Sequence, residues 1–280
     1  MKSLSEKINF ISQFRIKYFP QILMRNKHFK NNTILFYPHL PHHRTVIYKI
    51  CKSLGLKIIT NPEKQYDILF YWDDSTYSEK INITPKSALS INLGCTDISK
   101  VNVDKVFEEV FGYSLIINPE TYSGDCVIKS DMNALHDGRI IKCPVEIITK
   151  DMVYQKIIDN SFDENYVKDI RVPVFKDSIP FVYFKFKKYE DRFTNKIDHV
   201  EVHNTSEVLT NEEVNSIISF AGNIKLDYGE LDILRDNKDE KIYIIDVNKT
   251  PWGPPATISK EKHKEVLKTM CDAFLEKFLM

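Results

Sequence analysis

The chain has 280 residues, 42% of them hydrophobic, so it can form two or three packed units and lacks the composition of a disordered protein. Lysine plus arginine and aspartate plus glutamate number 39 each, which excludes a global field that attracts nucleic acid or an anionic membrane. The five cysteines include no CxxC pair, which favours a reducing, cytoplasmic location over a disulfide framework. The charged N-terminal segment predicts neither a signal peptide nor a membrane span.

Strand and helix signals alternate in the first third of the chain. Residues 45–55 predict a helix, because their apolar positions share one helical face. Strands are predicted from the apolar runs at 33–38, 56–60, 66–72 and 88–94. Strands that alternate with a helix are typical of a small parallel sheet.

The rest of the chain combines helices with strands that are expected to be antiparallel. Helices are predicted at 102–113, at 210–222 after a Thr210–Glu213 capping box, and at the C-terminus. Apolar runs predict strands at 126–130, 139–148, 152–158, 170–175 and 181–188. Residues 228–236 and 241–248 predict a hairpin across a short polar turn.

Two acids and an amide are expected to meet on that hairpin. Asp246 and Asn248 are two residues apart on one strand, so their side chains leave the same face. The turn at 237–240 can bring Asp232 near Asp246 across the ladder. Carboxylate and amide oxygens are the hard ligands that Mg²⁺ takes together with nucleotide phosphates. The alternative is a set of solvated polar residues at a strand end.

The segment LDILRD…IYIIDVNKTP resembles the closing signature of the ATP-grasp superfamily. There, an acid on one strand and an acid-x-Asn on the next bind the Mg²⁺ of ATP. The resemblance therefore implies metal ligands at Asp232, Asp246 and Asn248. Many members carry glutamate where this chain has Asp246, whose shorter side chain has less reach toward two metals. The resemblance covers residues 93–255, and its most specific part is the last 25 residues or so.

The resemblance also implies a phosphate site upstream of the hairpin. Lys100 and Lys129 match two lysines that contact phosphate in the superfamily. For Lys129 the alternative is a strand lysine that extends its stem along the surface. Residues 130–139 occupy the place of the phosphate-covering loop. That loop has a single glycine, so the contacts expected from it come from Gly138, Asn133, His136 and Arg139.

Residues 152–158 match the hinge strand that holds adenine in the superfamily. The backbone near Gln155, Lys156 and Ile157 would read the base, Ile157 or Ile158 would pack on its face, and Asp159 would accept hydrogen bonds from the ribose. For any one of these residues an ordinary core strand is the alternative.

Basic residues on the later strands match the contacts to triphosphate and acyl phosphate. Arg171 and Lys185 lie on paired strands, and Arg235 is expected to hold the acyl phosphate together with Lys185. Arg192 is a further candidate, because an arginine fork binds phosphate or carboxylate through two parallel hydrogen bonds. A surface salt bridge is the alternative, and it weighs equally for Arg192 and Lys187.

A second polar cluster follows two strands of the first third of the chain. If both strands lie in one parallel sheet, their ends open onto one crevice that would hold the acceptor substrate. A polar turn is the alternative, and a histidine metal site lacks a nearby acid or cysteine partner. His199 and His203 are expected at the surface. The cluster consists of His39, His42, His43, Arg44, Asp73 and Asp74.

The expected fold is α/β: an ATP-grasp fold with an N-terminal Rossmann-like α/β domain (1–95) and two α+β subdomains (96–160 and 161–280) that clasp the nucleotide. The implied function is an ADP-forming carboxylate–amine or carboxylate–thiol ligase that uses ATP and Mg²⁺ and proceeds through an acyl phosphate. Its substrates would be a small-molecule carboxylate and amine, with no nucleic-acid or membrane partner, and a homo-oligomer stays open. The alternatives are a kinase of the same fold, a non-catalytic nucleotide-binding protein, or a binding module that takes no ATP.

Overall fold

The computed structural model describes residues 32–78, 83, 85–86, 89–255 and 257–280. The N-terminal segment considered for a signal peptide lies outside these ranges. None of the helices within them is both long and apolar enough to cross a membrane.

The first sheet is fully parallel, as the alternation of strand and helix signals predicts. Its order is β2-β1-β3-β4. The strands are β1 (Thr33–Pro38), β2 (Lys57–Ile59), β3 (Ile68–Trp72) and β4 (Leu89–Ile91). Helix α1 (Val46–Ser53) buries the predicted apolar face against this sheet.

The second sheet has three antiparallel strands in the order β6-β5-β7. They are β5 (Gly124–Ser130), β6 (Arg139–Cys143) and β7 (Met152–Lys156), preceded by helix α2 (Lys100–Phe111). The strand predicted over 139–148 ends at Cys143, because Pro144 has no N–H group to continue the ladder.

The third sheet has five antiparallel strands in the order β10-β9-β8-β11-β12, and it contains the predicted hairpin as β11 and β12. The strands are β8 (Tyr166–Phe175), β9 (Val182–Lys188), β10 (His199–His203), β11 (Tyr228–Arg235) and β12 (Ile242–Asn248). The helices of this part are α3 (Thr205–Val208), α4 (Asn211–Asn223) and α5 (Lys260–Phe274), which continues as a π-helical turn over Leu275–Leu279. The sequence did not predict β10, where His199 and His203 are half-buried rather than fully exposed.

The third sheet has one apolar face and one charged face. Val172 of β8, Leu231 of β11 and Val247 of β12 are fully buried against α2 and α4. The residues next to them on each strand point the other way, as the two-residue period of a strand requires. The charged face therefore collects Arg171, Lys185, Glu230, Asp232 and Asp246.

The C-terminal helix packs on the first sheet rather than on the third sheet alone. Val266, Met270 and Phe274 share a core with β1, β3 and α1, and this core also includes Tyr183 and Tyr228 at one end of the third sheet. The three sheets span residues 33–91, 124–156 and 166–248. The domain boundaries proposed from the sequence stay a prediction.

Asn92 ties the first sheet to the third. Its side chain is fully buried, and its Oδ1 accepts hydrogen bonds from the backbone N–H groups of Asp227 and Tyr228, both at 2.9 Å. Its Nδ2 donates to the carbonyl of Tyr228 at 2.7 Å. Its φ of +58° lies in the left-handed region, which asparagine tolerates better than most residues.

The Asn92→Ala variant should unfold at lower urea concentration than the unsubstituted protein. The loss expected in the free energy of unfolding is about 3 kcal/mol, because two buried N–H groups lose their acceptor. The exposed Asn223 gives a matched control, and Asn223→Ala should change this free energy by less than about 0.5 kcal/mol. Equal losses in the two variants would contradict the role given to Asn92.

Candidate active site

Asp232 lies at the centre of a charge network on the third sheet. Arg171 donates two hydrogen bonds to its carboxylate, from Nε to Oδ1 at 2.9 Å and from Nη2 to Oδ2 at 2.7 Å. Lys185 donates to Oδ1 at 2.6 Å. Burial alone would raise the pKa of Asp232, but the charges of Arg171 and Lys185 dominate and hold that pKa far below its usual value. The group is therefore an ionised carboxylate between two cations.

Asp246 and Asn248 lie on β12 beside Asp232, as the hairpin predicts. Asp246 pairs in register with Asp232, and Asn248 pairs with Glu230. Burial raises the pKa of Asp246, while Lys100 and Lys129 act to lower it. A bulge in the ladder leaves Ile245 as an extra residue beside this pair. The bulge keeps Asp246 and Asn248 on the charged face with Asp232.

These three side chains fit a hard divalent cation. Asp232 Oδ2 accepts one hydrogen bond, so one of its two lone pairs stays available. Asp246 Oδ1 accepts the N–H of Val247, and Asn248 Oδ1 accepts that of Thr250, both at 3.1 Å. Across the described part of the chain, no group of three or more His, Cys, Asp or Glu side chains is placed to hold a metal. A metal at this site would therefore need the amide oxygen of Asn248 besides the two carboxylates.

Lys129 is the cation of this site that has no fixed partner. It lies at the end of β5, and among the residues that the structure describes no hydrogen-bond or ion-pair partner reaches its ammonium group. Burial lowers the pKa of Lys129 to about 8, and the charge of Asp246 acts against that shift. An ammonium group in this position is available to an anionic ligand.

Two cavities meet at Lys129. The larger has a volume of about 560 Å³ and the smaller about 90 Å³. The smaller cavity lies at the predicted hinge, where Gln155, Lys156 and Ile158 line it together with Leu234. Both cavities are lined by Lys129, Asp169, Lys187, Arg192, Phe193 and Ile245. The two cavities therefore adjoin, the smaller with apolar walls at β7 and the larger at the charged face of the third sheet.

The loop after β5 covers the larger cavity. Lys100 Nζ donates to the carbonyl of Met132 at 2.7 Å, and Asn133 Nδ2 donates to that of Val247 at 3.1 Å. His136 and Gly138 also line the cavity, so the structure brings four predicted phosphate-site residues together with Lys129.

Several predicted residues lie elsewhere. Arg235 lines neither cavity, because a spacing of three residues places it on the face of β11 opposite Asp232. It pairs with Glu213 at 2.7 Å and 2.9 Å instead, which corrects its assignment to the acyl phosphate. Asp159 accepts hydrogen bonds from Ser161, and neither it, Ile157 nor Arg139 lines either cavity. The Lys156 ammonium group turns away to Tyr243 and Asp239.

The sequence prediction missed two buried charged residues. Glu230, 1% exposed, accepts a bond from Arg171 Nη1 at 3.2 Å, while its Oε1 has no partner in the described residues. Its position two residues before Asp232 on the same strand was the available signal. Lys249, also 1% exposed, donates to Ser78 Oγ at 2.6 Å. Nothing in the local pattern distinguishes Lys249 from a surface lysine.

The polar cluster near the first sheet reaches the site only in part. Asp74 lines the larger cavity, as does Trp252, whose ring lies 5.1 Å from that of His42. Asp73 accepts hydrogen bonds from Tyr71 and Ser78. The residues of the cluster that line neither cavity are His39, His42, His43, Arg44 and Asp73.

The fold is similar to that of solved ATP-grasp ligases. The ligase PsnB, in complex with a minimal precursor, Mg and ADP, aligns with a TM-score of 0.57 and 12% identity over 90% of this chain and 100% of its own. The D-cycloserine synthetase DcsG aligns with a TM-score of 0.53 and 9% identity over 86% of this chain and 98% of its own. The D-alanine–D-alanine ligase from Bacillus anthracis, in complex with ATP, aligns with a TM-score of 0.50 and 12% identity over 88% of this chain and 97% of its own. No family model and no curated protein matches the chain. The chain therefore has the ATP-grasp fold, which confirms the resemblance at the level of the fold.

The partner-free state of Lys129 predicts a pH dependence of anion binding. The Kd for ADP, measured by calorimetry in EDTA, should be lowest near pH 7 and rise as the pH passes about 8, because the ammonium group then loses its proton. In Lys129→Arg the rise should disappear, since arginine stays charged. In Lys129→Met binding should be weaker by about tenfold at neutral pH. If Lys129→Met keeps the pH dependence of the unsubstituted protein, another group is responsible.

Proposed function

We propose that this chain is an ATP-dependent, ADP-forming carboxylate–amine or carboxylate–thiol ligase. The observation that carries the proposal is the convergence of Asp232, Asp246, Asn248 and the unpaired Lys129 on one continuous cavity. The ATP-grasp fold supports it, since PsnB and the D-alanine–D-alanine ligase are both named as ligases.

The nucleotide would lie along both cavities. Its adenine fits the smaller one, where Leu115, Ile158 and Leu234 supply apolar walls beside the backbone of β7. The phosphates would then lie between Lys129 and the charged face of the third sheet, under the loop that Lys100 anchors. The hydrogen bond of Lys185 to Asp232 places a second cation beside that path.

Asp246, Asn248 and the open lone pair of Asp232 would hold Mg²⁺. The ion would neutralise charge on the phosphate oxygens during transfer. The residues of the chain keep the site ready for that charge. Arg171 and Lys185 are fixed by Asp232, and Glu230 holds the third nitrogen of the guanidinium group. Preorganised cations of this kind stabilise developing negative charge without reorganising during the reaction.

The proposed chemistry needs no nucleophilic side chain. A substrate carboxylate oxygen attacks the γ-phosphorus, the bond to the β-phosphate oxygen breaks, and ADP leaves. The nitrogen or sulfur of the acceptor then attacks the acyl carbon, and inorganic phosphate leaves with the bonding electrons. The enzyme contributes alignment and charge neutralisation through Lys129, Arg171 and Lys185.

For the acceptor we propose a small metabolite, an amino acid or a sugar acid. PsnB is solved with a precursor peptide, so peptides belong in any substrate screen. A kinase of the same fold would leave phosphate on an alcohol or sugar. A ligase instead releases free phosphate only when both an acid and an acceptor are present.

A screen of acids and amines for ADP and phosphate release tests this function. Turnover should need both substrates, and Asn248→Ala should lower it by roughly a hundredfold, because one metal ligand is lost. The Kd of ADP in EDTA should stay unchanged in Asn248→Ala, which separates metal loss from misfolding. The exposed control Asn223→Ala should keep full activity. ADP release with an alcohol and without free phosphate would instead identify a kinase.

A further inference from the structure

The loop after β12 presents an exposed indole ring to the larger cavity. Trp252 is 59% exposed and lines that cavity. The other tryptophan of the chain, Trp72, is only 6% exposed. Tryptophan is highly buried on average in folded proteins, so an open indole at a cavity wall points to a ligand that covers it.

The backbone on either side of Trp252 is restrained by buried prolines, a hydrogen bond and close packing. Pro251 and Pro254 are buried, and each proline ring fixes its own φ. The carbonyl of Trp252 accepts the N–H of Val46 at 3.1 Å. Gly253 lies so close to Glu230 that a Cβ atom there would be 2.9 Å from Oε1. The indole is therefore the exposed part of a fixed loop, and a fixed loop loses little conformational entropy when a ligand binds.

Two imidazole rings support the indole at the end of the first sheet. The His42 ring lies 5.1 Å from that of Trp252, tilted by 35°, and the His43 ring lies 4.1 Å from that of His42. The three rings form a continuous aromatic group, and only Trp252 among them lines the cavity. The free part of the indole is thus the surface that a bound molecule would meet.

Trp252 lines the larger cavity but not the smaller one at the hinge. Ile245 on β12 borders the hinge cavity, Asp246 and Asn248 follow on the same strand, and Trp252 comes four residues later. A nucleotide whose adenine lies near Gln155 and whose phosphates lie near Asp246 would leave the part of the larger cavity at Trp252 to a second substrate.

We propose that Trp252 stacks on a ring of the second substrate and not on the nucleotide. This substrate carries either an aromatic ring or a sugar ring, both of which present a flat apolar face to the indole. The proposal rests on the proposed function only for the assignment of the other end of the cavity to ATP. Trp252 is then a specificity-determining residue, since a ring-free molecule of equal charge forgoes the stacking contact.

Fluorescence tests the contact without turnover. In a Trp72→Phe variant all tryptophan emission comes from Trp252, and acrylamide should quench it strongly because the ring is exposed. With Mg²⁺ and ADP present, phenethylamine, glucosamine and butylamine serve as aromatic, sugar and ring-free probes. One ring-bearing probe should reduce the quenching constant saturably by about twofold or more, as expected when one face of the indole is covered. Butylamine should leave it unchanged. If phenethylamine reduces the quenching constant, the substrate carries an aromatic ring. If glucosamine reduces it, the substrate carries a sugar ring.

Kinetics of full-length variants supply the second test. Trp252→Ala should raise KM for the ring-bearing substrate by about tenfold, which is the scale of one lost aromatic contact, and should leave KM for ATP within about twofold. Trp252→Tyr should recover most of the loss, because it restores an aromatic face.

The proposal is overturned if butylamine protects as well as the rings, or if no ring protects at all. It is also overturned if Trp252→Ala raises KM for ATP by the same factor, since the loop would then have only a structural role. Ring protection without ADP formation would defeat the proposed ligase activity and leave the stacking contact established. ADP formation that does not depend on Trp252 would support the proposed ligase activity and overturn the stacking contact.

Discussion

The two-residue period of the strands in the third sheet decides where each candidate group lies. On β8 and β11 every second side chain is buried against α2 and α4, and charged residues between them face the cavity. On β12 the bulge at Ile245 shifts this alternation by one residue, so that Val247 is buried and Asp246 faces the cavity. Apolar packing on one face of the sheet thus fixes which residues lie on the other face. A shift of a strand by one residue would move a charged side chain into the core and a core side chain into the cavity. The positions of Asp232, Asp246 and Arg171 follow from the burial of Leu231, Val247 and Val172 behind them.

Most charges on the charged face have a partner of opposite sign. Asp232 lies between Arg171 and Lys185, Glu230 holds the same guanidinium group, and Asp169 pairs with Lys187 at 3.0 Å. A buried charge without a partner would be costly. On this face Asp246 forms no ion pair within the described residues, and Glu230 Oε1 has no hydrogen-bond partner there. The Lys129 ammonium group, on β5 across the cavity, likewise has no partner among the described residues. The Lys129 ammonium group faces the cavity and suits an anionic ligand, while Glu230 Oε1 lies beneath the loop that carries Trp252.

Much of this arrangement can be predicted from the sequence, because the spacing of apolar residues indicates which face of a helix or strand is buried. The apolar face of α1, the Thr210–Glu213 capping box and the β11–β12 hairpin all form as predicted. Strand β10 escaped prediction because its HVEVH sequence at a sheet edge lacks a continuous apolar run. Arg235 was misassigned by its nearness in sequence to Asp232, although an odd spacing already placed it on the other face. Lys249 is buried by partners distant in sequence, which no local pattern records. Glu230 lies two residues before Asp232 on the same strand, and this even spacing was the signal that the prediction did not use.

We propose above all that one face of the third sheet binds a nucleotide through Mg²⁺. A crystal structure of the protein with Mg²⁺ and ADP tests it most directly. We predict adenine beside β7, the diphosphate beside Lys129, and the metal bonded to Asp246 and Asn248. ADP bound outside the two cavities, or a metal that contacts neither Asp246 nor Asn248, would contradict it.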